Sequence, residues 1–327
     1  MEVASQNTGS LFIVAFPERI PVDDTLYFIQ DNTIGGIILF ADHCRDQDSL
    51  KSWLADLKKS LSRPLIVAVD QEGGRVRRFT HRFPMLDAPR HYGRLGNLEK
   101  YRDDLARVCE RLFNIGINLN LVPVVDLLDA KEGHVLDSRT FSDKPDVVSR
   151  FARLTIDVHK SYGLLTCGKH FPGLGRSDGD PHHVLALSDL TENDFAETEL
   201  PPFADMIDAG VDAVMVTHLS APKVDGKPAI VSEKMIQGWL KEKLAFGGPV
   251  ITDDLLMGGA AYVDAVPELA IKSFAAGADL LLFGQNLTQT RQAFDAFGEA
   301  WQAGRFGPKR MDDASGRAKG FTDKIFN

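Results

Sequence analysis

Leu164-Leu165-Thr166-Cys167-Gly168-Lys169-His170-Phe171-Pro172-Gly173-Leu174-Gly175-Arg176-Ser177-Asp178-Gly179-Asp180-Pro181-His182-His183 joins a short apolar run to a lysine, a histidine and a glycine-rich loop. The run Leu164 to Gly168 reads as a buried strand, which puts Lys169 and His170 at its C-terminal end. Glycines and prolines then forbid both helix and ladder, so the chain must leave the sheet as a loop. That loop delivers Asp180 and His182 two residues apart, with Pro181 restricting the turn between them. A solvated surface loop has a similar composition, so the stretch gains meaning from what surrounds it.

The same alternation of short apolar runs with longer amphipathic stretches continues almost to the end of the chain. Eight strands are expected: Leu11 to Phe16, Gly35 to Phe40, Leu65 to Asp70, Asn118 to Asp126, Leu164 to His170, Ala213 to His218, Pro249 to Asp254 and Asp279 to Phe283. Helical patterns lie between them, at Asp46 to Leu61, Leu98 to Ile115, Asp146 to Tyr162, Glu192 to Ala209, Ser232 to Leu244, Val266 to Ala276 and Thr288 to Ala303. Strands that are apolar on both faces are parallel strands wrapped by helices. Eight such units predict an α/β fold, a single (β/α)8 TIM-type barrel with its active site at the C-terminal ends of the strands. An open doubly wound sheet shares the alternation. The barrel is favoured because Asp70, Glu72, Asp126, Lys169, His170, His218, Asp253, Asp254 and Gln285 fall at or just past strand ends, where a barrel makes them face one another. No low-complexity linker or internal repeat interrupts residues 1–327, so one domain is expected.

Composition narrows the function. The chain has 327 residues, 44% hydrophobic and 25% charged, with a net charge of −9. That acidity argues against nucleic acid and anionic membrane surfaces as partners. Cys44, Cys109 and Cys167 are odd in number and far apart, which reads as buried free thiols rather than a disulfide framework or a zinc site. Met1 to Ser10 has neither a basic nor an apolar region, and no run approaches the ~18 apolar residues of a membrane span, so a cytoplasmic protein is expected.

Three further motifs carry chemistry. Asp70-Gln71-Glu72-Gly73-Gly74-Arg75-Val76-Arg77-Arg78 combines carboxylates that accept from paired hydroxyls with arginine forks, and its glycines admit close backbone approach. An ion-paired turn would use the same residues. Asp137-Ser138-Arg139-Thr140-Phe141 offers an arginine on a long loop, as a ligand contact or a solvated side chain. In Ile251-Thr252-Asp253-Asp254-Leu255-Leu256-Met257 one carboxylate should point into the barrel mouth and its neighbour away, and alternation alone does not say which. Both acids could instead cap the following turn.

Taken together, the chain resembles the glycoside hydrolase family 3 β-N-acetylglucosaminidases, single-barrel enzymes that trim N-acetylglucosamine from cell-wall fragments in peptidoglycan recycling. The resemblance rests on Gly35-Gly36-Ile37-Ile38-Leu39-Phe40, Asp70 to Arg78, Asn118-Leu119-Asn120-Leu121-Val122-Pro123-Val124-Val125-Asp126, Arg139-Thr140-Phe141, Lys169 to His182, Pro228-Ala229 and Thr252-Asp253-Asp254-Leu255, all in the family's order. By that resemblance Asp253 is the nucleophile, Asp180 and His182 are the Asp-His acid/base, and Asp70, Arg78, Arg139, Lys169 and His170 hold the sugar. The implied substrate is a small soluble glycan or muropeptide. The catalytic loop departs from the family at Leu174, where histidine is usual, at Arg176, where an acid is usual, and at Pro181, where serine is usual. Ser138 likewise stands where aspartate is usual.

The residues support the same chemistry independently. A retaining hydrolase needs a nucleophilic carboxylate and a group that donates and then accepts a proton, and a histidine of ordinary pKa about 6.5 does both near neutrality. The candidates lack HExxH or CxxC spacing, so no metal or other cofactor is expected. A β-glycosidase of different sugar specificity and a catalytically silent sugar-binding barrel are the alternative readings.

Overall fold

The computed structural model describes residues 8–17, 23–128 and 133–325. Eight parallel strands form the central sheet: β1 (Phe12–Val14), β2 (Gly36–Leu39), β3 (Ile66–Val69), β4 (Leu119–Asn120), β5 (Leu165–Phe171), β6 (Ala213–Val216), β7 (Val250–Thr252) and β8 (Leu281–Phe283). From β1 to β7 each pairs with the next in chain order, and β1 pairs with β8 in the register Phe12 to Leu281. A parallel bridge between Ile251 and Leu280 brings β7 to β8 and closes the ring. The expected barrel is therefore the fold. Its strands carry residues buried on both faces, as in Ile66-Val67-Ala68-Val69, because one face fills the interior and the other meets the helices.

The helices obey their own patterns. Gln47–Leu61 buries Leu50, Leu54 and Leu57 on one stripe, and Asp46 opens it by accepting from the Ser49 N–H at 3.1 Å. Leu98–Ile115 buries Leu105, Val108, Cys109 and Leu112, and ends at Gly116 with φ 104°, a left-handed cap that glycine adopts without strain. Each fully buried leucine on these stripes contributes roughly 1.5–3 kcal/mol. The three cysteines are buried free thiols, as their surroundings imply.

Three features differ from the sequence reading. The fourth strand, expected over Asn118 to Asp126, pairs with β5 only at Leu119 and Asn120, and the chain then makes one further bridge from Val124 to Lys169. Pro123 interrupts it, since proline has no N–H for the ladder. The helical stretches after β5 and β6 contain π-helical turns at Phe195–Glu199 and Lys234–Lys243. Helices at Asp23–Asp31, Pro89–Leu95 and Pro308–Asp323 are absent from the expected set, and the last of them lies across the lower end of the barrel. There Asp279, fully buried, receives Lys241, Arg310 and Arg317 at 3.0 Å each. Among the described residues no helix is long and apolar enough to cross a membrane.

Candidate active site

The upper end of the barrel holds a cavity of about 340 Å³. Its lining includes Asp70, Glu72, Arg78, Arg139, Lys169, His170, His182 and Asp253, contributed by the ends of β3, β5 and β7 and the loops that follow β3, β4 and β5. The barrel thus gathers every expected site residue except Asp180, which reaches the cavity through His182. A larger hollow of about 680 Å³ at the lower end is lined by Lys58, Ser62, Arg63, Pro64, Leu65, Asp323 and Ile325, without a comparable gathering of acids and histidines.

The floor is an ionic lattice. Lys169, only 2% exposed, stands 2.7 Å from Asp70 Oδ1 and 2.7 Å from Glu72 Oε1. Arg139 forks onto Glu72 with two bonds of 2.8 Å, and Arg78 donates to Asp70 Oδ2 at 2.9 Å. Burial would raise both carboxyls, but the cations outweigh it, holding Asp70 well below the usual carboxylate range and Glu72 down to about 2. Three cations thus face two carboxylates, and the lattice keeps its charges at neutral pH. Neighbouring side chains fix the loop that supplies it. Gln71 Oε1 accepts from the backbone of Arg78 and Phe79 at 2.8 and 3.1 Å, while Asn120 accepts from the Gln71 N–H at 2.9 Å.

His170 is oriented from both sides. Its Nδ1–H donates to Asp126 Oδ2 at 2.6 Å, because Arg139, which can only donate, approaches Nε2 at 3.2 Å. Asp126 has no exposed surface, and its other oxygen accepts from the Leu174 N–H at 2.6 Å. One buried carboxylate therefore ties the end of β5 to the start of the loop bearing Asp180.

The two acids after β7 differ sharply. Asp253 Oδ2 accepts from the Thr217 hydroxyl at 2.9 Å and Oδ1 from the Asp254 N–H at 2.9 Å. Burial pushes its carboxyl up, but the His170 and His218 rings and these hydrogen bonds prevail, so its pKa lies below the ordinary value. Asp254 is bound to backbone, accepting from the N–H groups of Leu256 at 2.9 Å and Gly284 at 2.7 Å. Burial raises it to about 6, against those bonds. Both acids line the cavity, Asp254 as the raised carboxyl that caps the turn and Asp253 as the ionised carboxylate.

Asp180 and His182 form a pair at the cavity rim. His182 Nδ1 lies 2.6 Å from Asp180 Oδ1, and the His182 N–H also donates there at 2.9 Å. Both are partly exposed, His182 at 54% and Asp180 at 39% of its side chain, as suits groups that exchange protons with an entering ligand. His183 does not line the cavity. The loop is seated on the segment after Asp253: Gly258 and Gly259 donate to the carbonyls of His182 and Pro181 at 3.1 and 2.9 Å. A Cβ at Gly258 would stand 2.5 Å from the His182 carbonyl oxygen, so this approach requires glycine.

Comparison with known proteins places the chain in a family. The model of the Glycosyl hydrolase family 3 N terminal domain matches residues 8–319. The chain belongs to glycosyl hydrolase family 3. Among relatives, it is 34% identical to the β-hexosaminidase of Thiobacillus denitrificans, over 80% of this chain and 74% of that protein. It is 37% identical to the β-hexosaminidase of Neisseria gonorrhoeae, over 77% of this chain and 72% of that one. Its fold is similar to that of a family 3 β-N-acetylglucosaminidase from Paenibacillus sp. FPU-7, with TM-score 0.95 and 29% identity over 98% of this chain, which spans 62% of that protein. It is also similar to NagZ from Neisseria gonorrhoeae bound to N-trifluoroacetyl-D-glucosamine, with TM-score 0.79 and 28% identity over 95% of this chain and 97% of that one. The chain is accordingly a glycosidase of this family.

Two residues expected only to face the barrel mouth take defined roles in the site. Glu72 is the partner of both Arg139 and Lys169, and Asp126 orients His170. Both stand at or just past strand ends in quoted motifs, but their partners lie tens of residues away. Thr217 was legible only as the residue before His218.

Proposed function

We propose that this chain is a retaining β-N-acetylglucosaminidase that releases terminal β-linked N-acetylglucosamine from small, cell-wall-derived glycans or muropeptides in the cytoplasm, and that it acts as a single domain. Asp253 attacks the anomeric carbon while His182 gives its proton to the departing glycosidic oxygen, leaving a glycosyl ester on Asp253. His182 then takes a proton from water, and the hydroxide displaces Asp253 with overall retention. Asp180 orients the ring for proton transfer in the first step. Asp70, Arg78, Arg139, Lys169 and His170 bind the sugar hydroxyls and amide through groups that the ionic lattice already holds in place.

The observation that carries the reading is the cavity itself. An ionised carboxylate, Asp253, and an Asp-paired histidine, His182, open into one small space floored by fixed charges. A site so crowded with hydrogen-bonding groups suits a sugar ring better than an apolar ligand. The similarity to the β-N-acetylglucosaminidases described above supports the choice of sugar.

Release of nitrophenol from aryl N-acetyl-β-glucosaminide, β-glucoside and N-acetyl-β-galactosaminide tests the proposal. Preference for the first is expected. Preference for the glucoside would indicate a β-glycosidase of different specificity, and binding without turnover a silent sugar-binding barrel.

A further inference from the structure

We propose that Glu199 is a positioning residue for the loop that carries Asp180 and His182, acting through Arg176. The inference builds on the acid/base role given above to His182. Glu199 is 1% exposed at the end of the π-helical turn behind the loop, and its Oε2 is buried with no hydrogen-bond partner. Gly173, at φ 127°, lies against it so closely that a Cβ there would stand 2.7 Å from Oε2. The cation on this carboxylate is Arg176, whose Nε is 3.4 Å from Oε1 and whose Nη1 is 3.4 Å from the Thr198 hydroxyl. Arg176 is 43% exposed and belongs to the loop, between Gly173 and Asp180.

The rest of the loop is anchored by other means. Its start is tied by the Leu174 N–H to Asp126, and its end by Gly258 and Gly259 and by the pairing of Asp178 with Leu187. In the middle, the Ser177 hydroxyl donates to the Leu174 carbonyl at 2.7 Å and His134 Nε2 lies 3.3 Å from the Ser177 carbonyl, and the Arg176–Glu199 contact adds the charged tie, from which the backbone runs to Asp180. A buried carboxylate with one oxygen unpaired is costly to ionise unless a cation approaches it. The guanidinium is therefore drawn inward when Glu199 is charged and released to solvent when it is neutral.

The charged groups facing Glu199 are Arg176 from the loop and Asp126 from the turn after β4, with the Thr198 hydroxyl on its own helix. Burial raises its carboxyl to about 7, Arg176 and Thr198 opposing and Asp126 adding to the rise. Charge on Glu199, and with it the hold on Arg176, increases as pH rises through neutrality. The sign for global stability is opposite. The native state keeps this proton more tightly than the unfolded chain, so the contribution of Glu199 to stability falls as pH rises from about 4.5 to about 7.

The test combines amide hydrogen exchange over residues 173–180 with kinetics on an aryl N-acetyl-β-glucosaminide, for the wild type, Glu199→Gln, Arg176→Ala, Arg176→Lys and the double variant Arg176→Ala/Glu199→Gln. After correction for intrinsic rates, the wild-type loop should be better protected at about pH 8 than at about pH 6, a difference lost in Glu199→Gln and Arg176→Ala and partly kept in Arg176→Lys. At the higher pH, kcat should fall roughly tenfold in either single variant with KM little changed, and the double variant should be no worse than the singles. Loop exchange identical to wild type in both single variants would overturn the inference, even with normal turnover. Absence of wild-type turnover would instead remove the β-N-acetylglucosaminidase reading and leave the exchange result to decide the Arg176–Glu199 contact. Should Glu199→Gln not fold, Arg176→Ala at its partly exposed position carries the test.

Discussion

Arg139 and Glu72, 67 positions apart in the sequence, meet in two parallel hydrogen bonds of 2.8 Å with both side chains nearly sealed from water. The pair joins the loop after β3 to the loop after β4, and Lys169 from β5 completes it at 2.7 Å from Glu72. Three separate parts of the barrel are thereby fixed before any ligand enters.

Glu72→Ala leaves Arg139 and Lys169 without their shared carboxylate. Breaking a buried pair by removing one partner costs about 3–5 kcal/mol, so chemical denaturation should show a loss of that size. Sugar affinity should fall with it, because the two cations no longer hold their positions. A variant with unchanged denaturation midpoint and unchanged affinity for N-acetylglucosamine would show that the lattice is incidental.

Asp279→Ala probes the opposite end of the barrel, where Lys241, Arg310 and Arg317 converge on one buried carboxylate. Burial raises Asp279, but the three cations hold it below its ordinary value. With the folded pKa depressed, its stabilisation is present above the unfolded pKa of about 3.9 and lost as pH falls through the folded value. The variant should be less stable by about 3–5 kcal/mol at neutral pH, and the deficit should shrink in strong acid. A deficit independent of pH would assign it to lost packing.

The barrel was legible because its strands are short apolar runs ending in polar residues, a pattern that local chemistry imposes. Pro123 shows where that reading stops: an apolar run of expected strand length contains a residue that cannot join the ladder. The Pro308–Asp323 helix was missed because half of its buried face is alanine, Ala314 and Ala318 beside Met311 and Phe321, which gives a weak apolar stripe. In the site, Asp70, Lys169, Arg139 and the Asp253-Asp254 pair could be picked out from motifs, and the family resemblance singled out Asp253. What joins them could not, since Glu72 with Arg139 and Asp126 with His170 are contacts made only by closure of the barrel. The choice between Asp253 and Asp254 likewise depends on Gly284 and Thr217, which come from other strands' ends.

His182→Ala separates proton transfer from loop shape. A natural disaccharide has a poor leaving group, so its cleavage should slow by ~10²–10⁴-fold. Glycosylation by an activated aryl glycoside needs little protonation and should be largely spared, leaving hydrolysis of the intermediate to limit turnover. Azide, which needs no base, should restore that rate and give the β-glycosyl azide. Equal slowing on both substrates with no azide effect would reduce His182 to a structural residue, and the same rescue in His183→Ala would move the role to His183.

The central claim is that Asp253 carries the sugar as a covalent ester. Incubation with a 5-fluoro-N-acetylglucosaminyl fluoride, followed by digestion and peptide mass spectrometry, tests it most directly. The predicted result is a glycosylated peptide with the sugar on Asp253, absent from Asp253→Asn and present, though formed more slowly, in Asp254→Asn. A label on Asp254, or steady turnover with inverted product and no covalent species, would contradict the account.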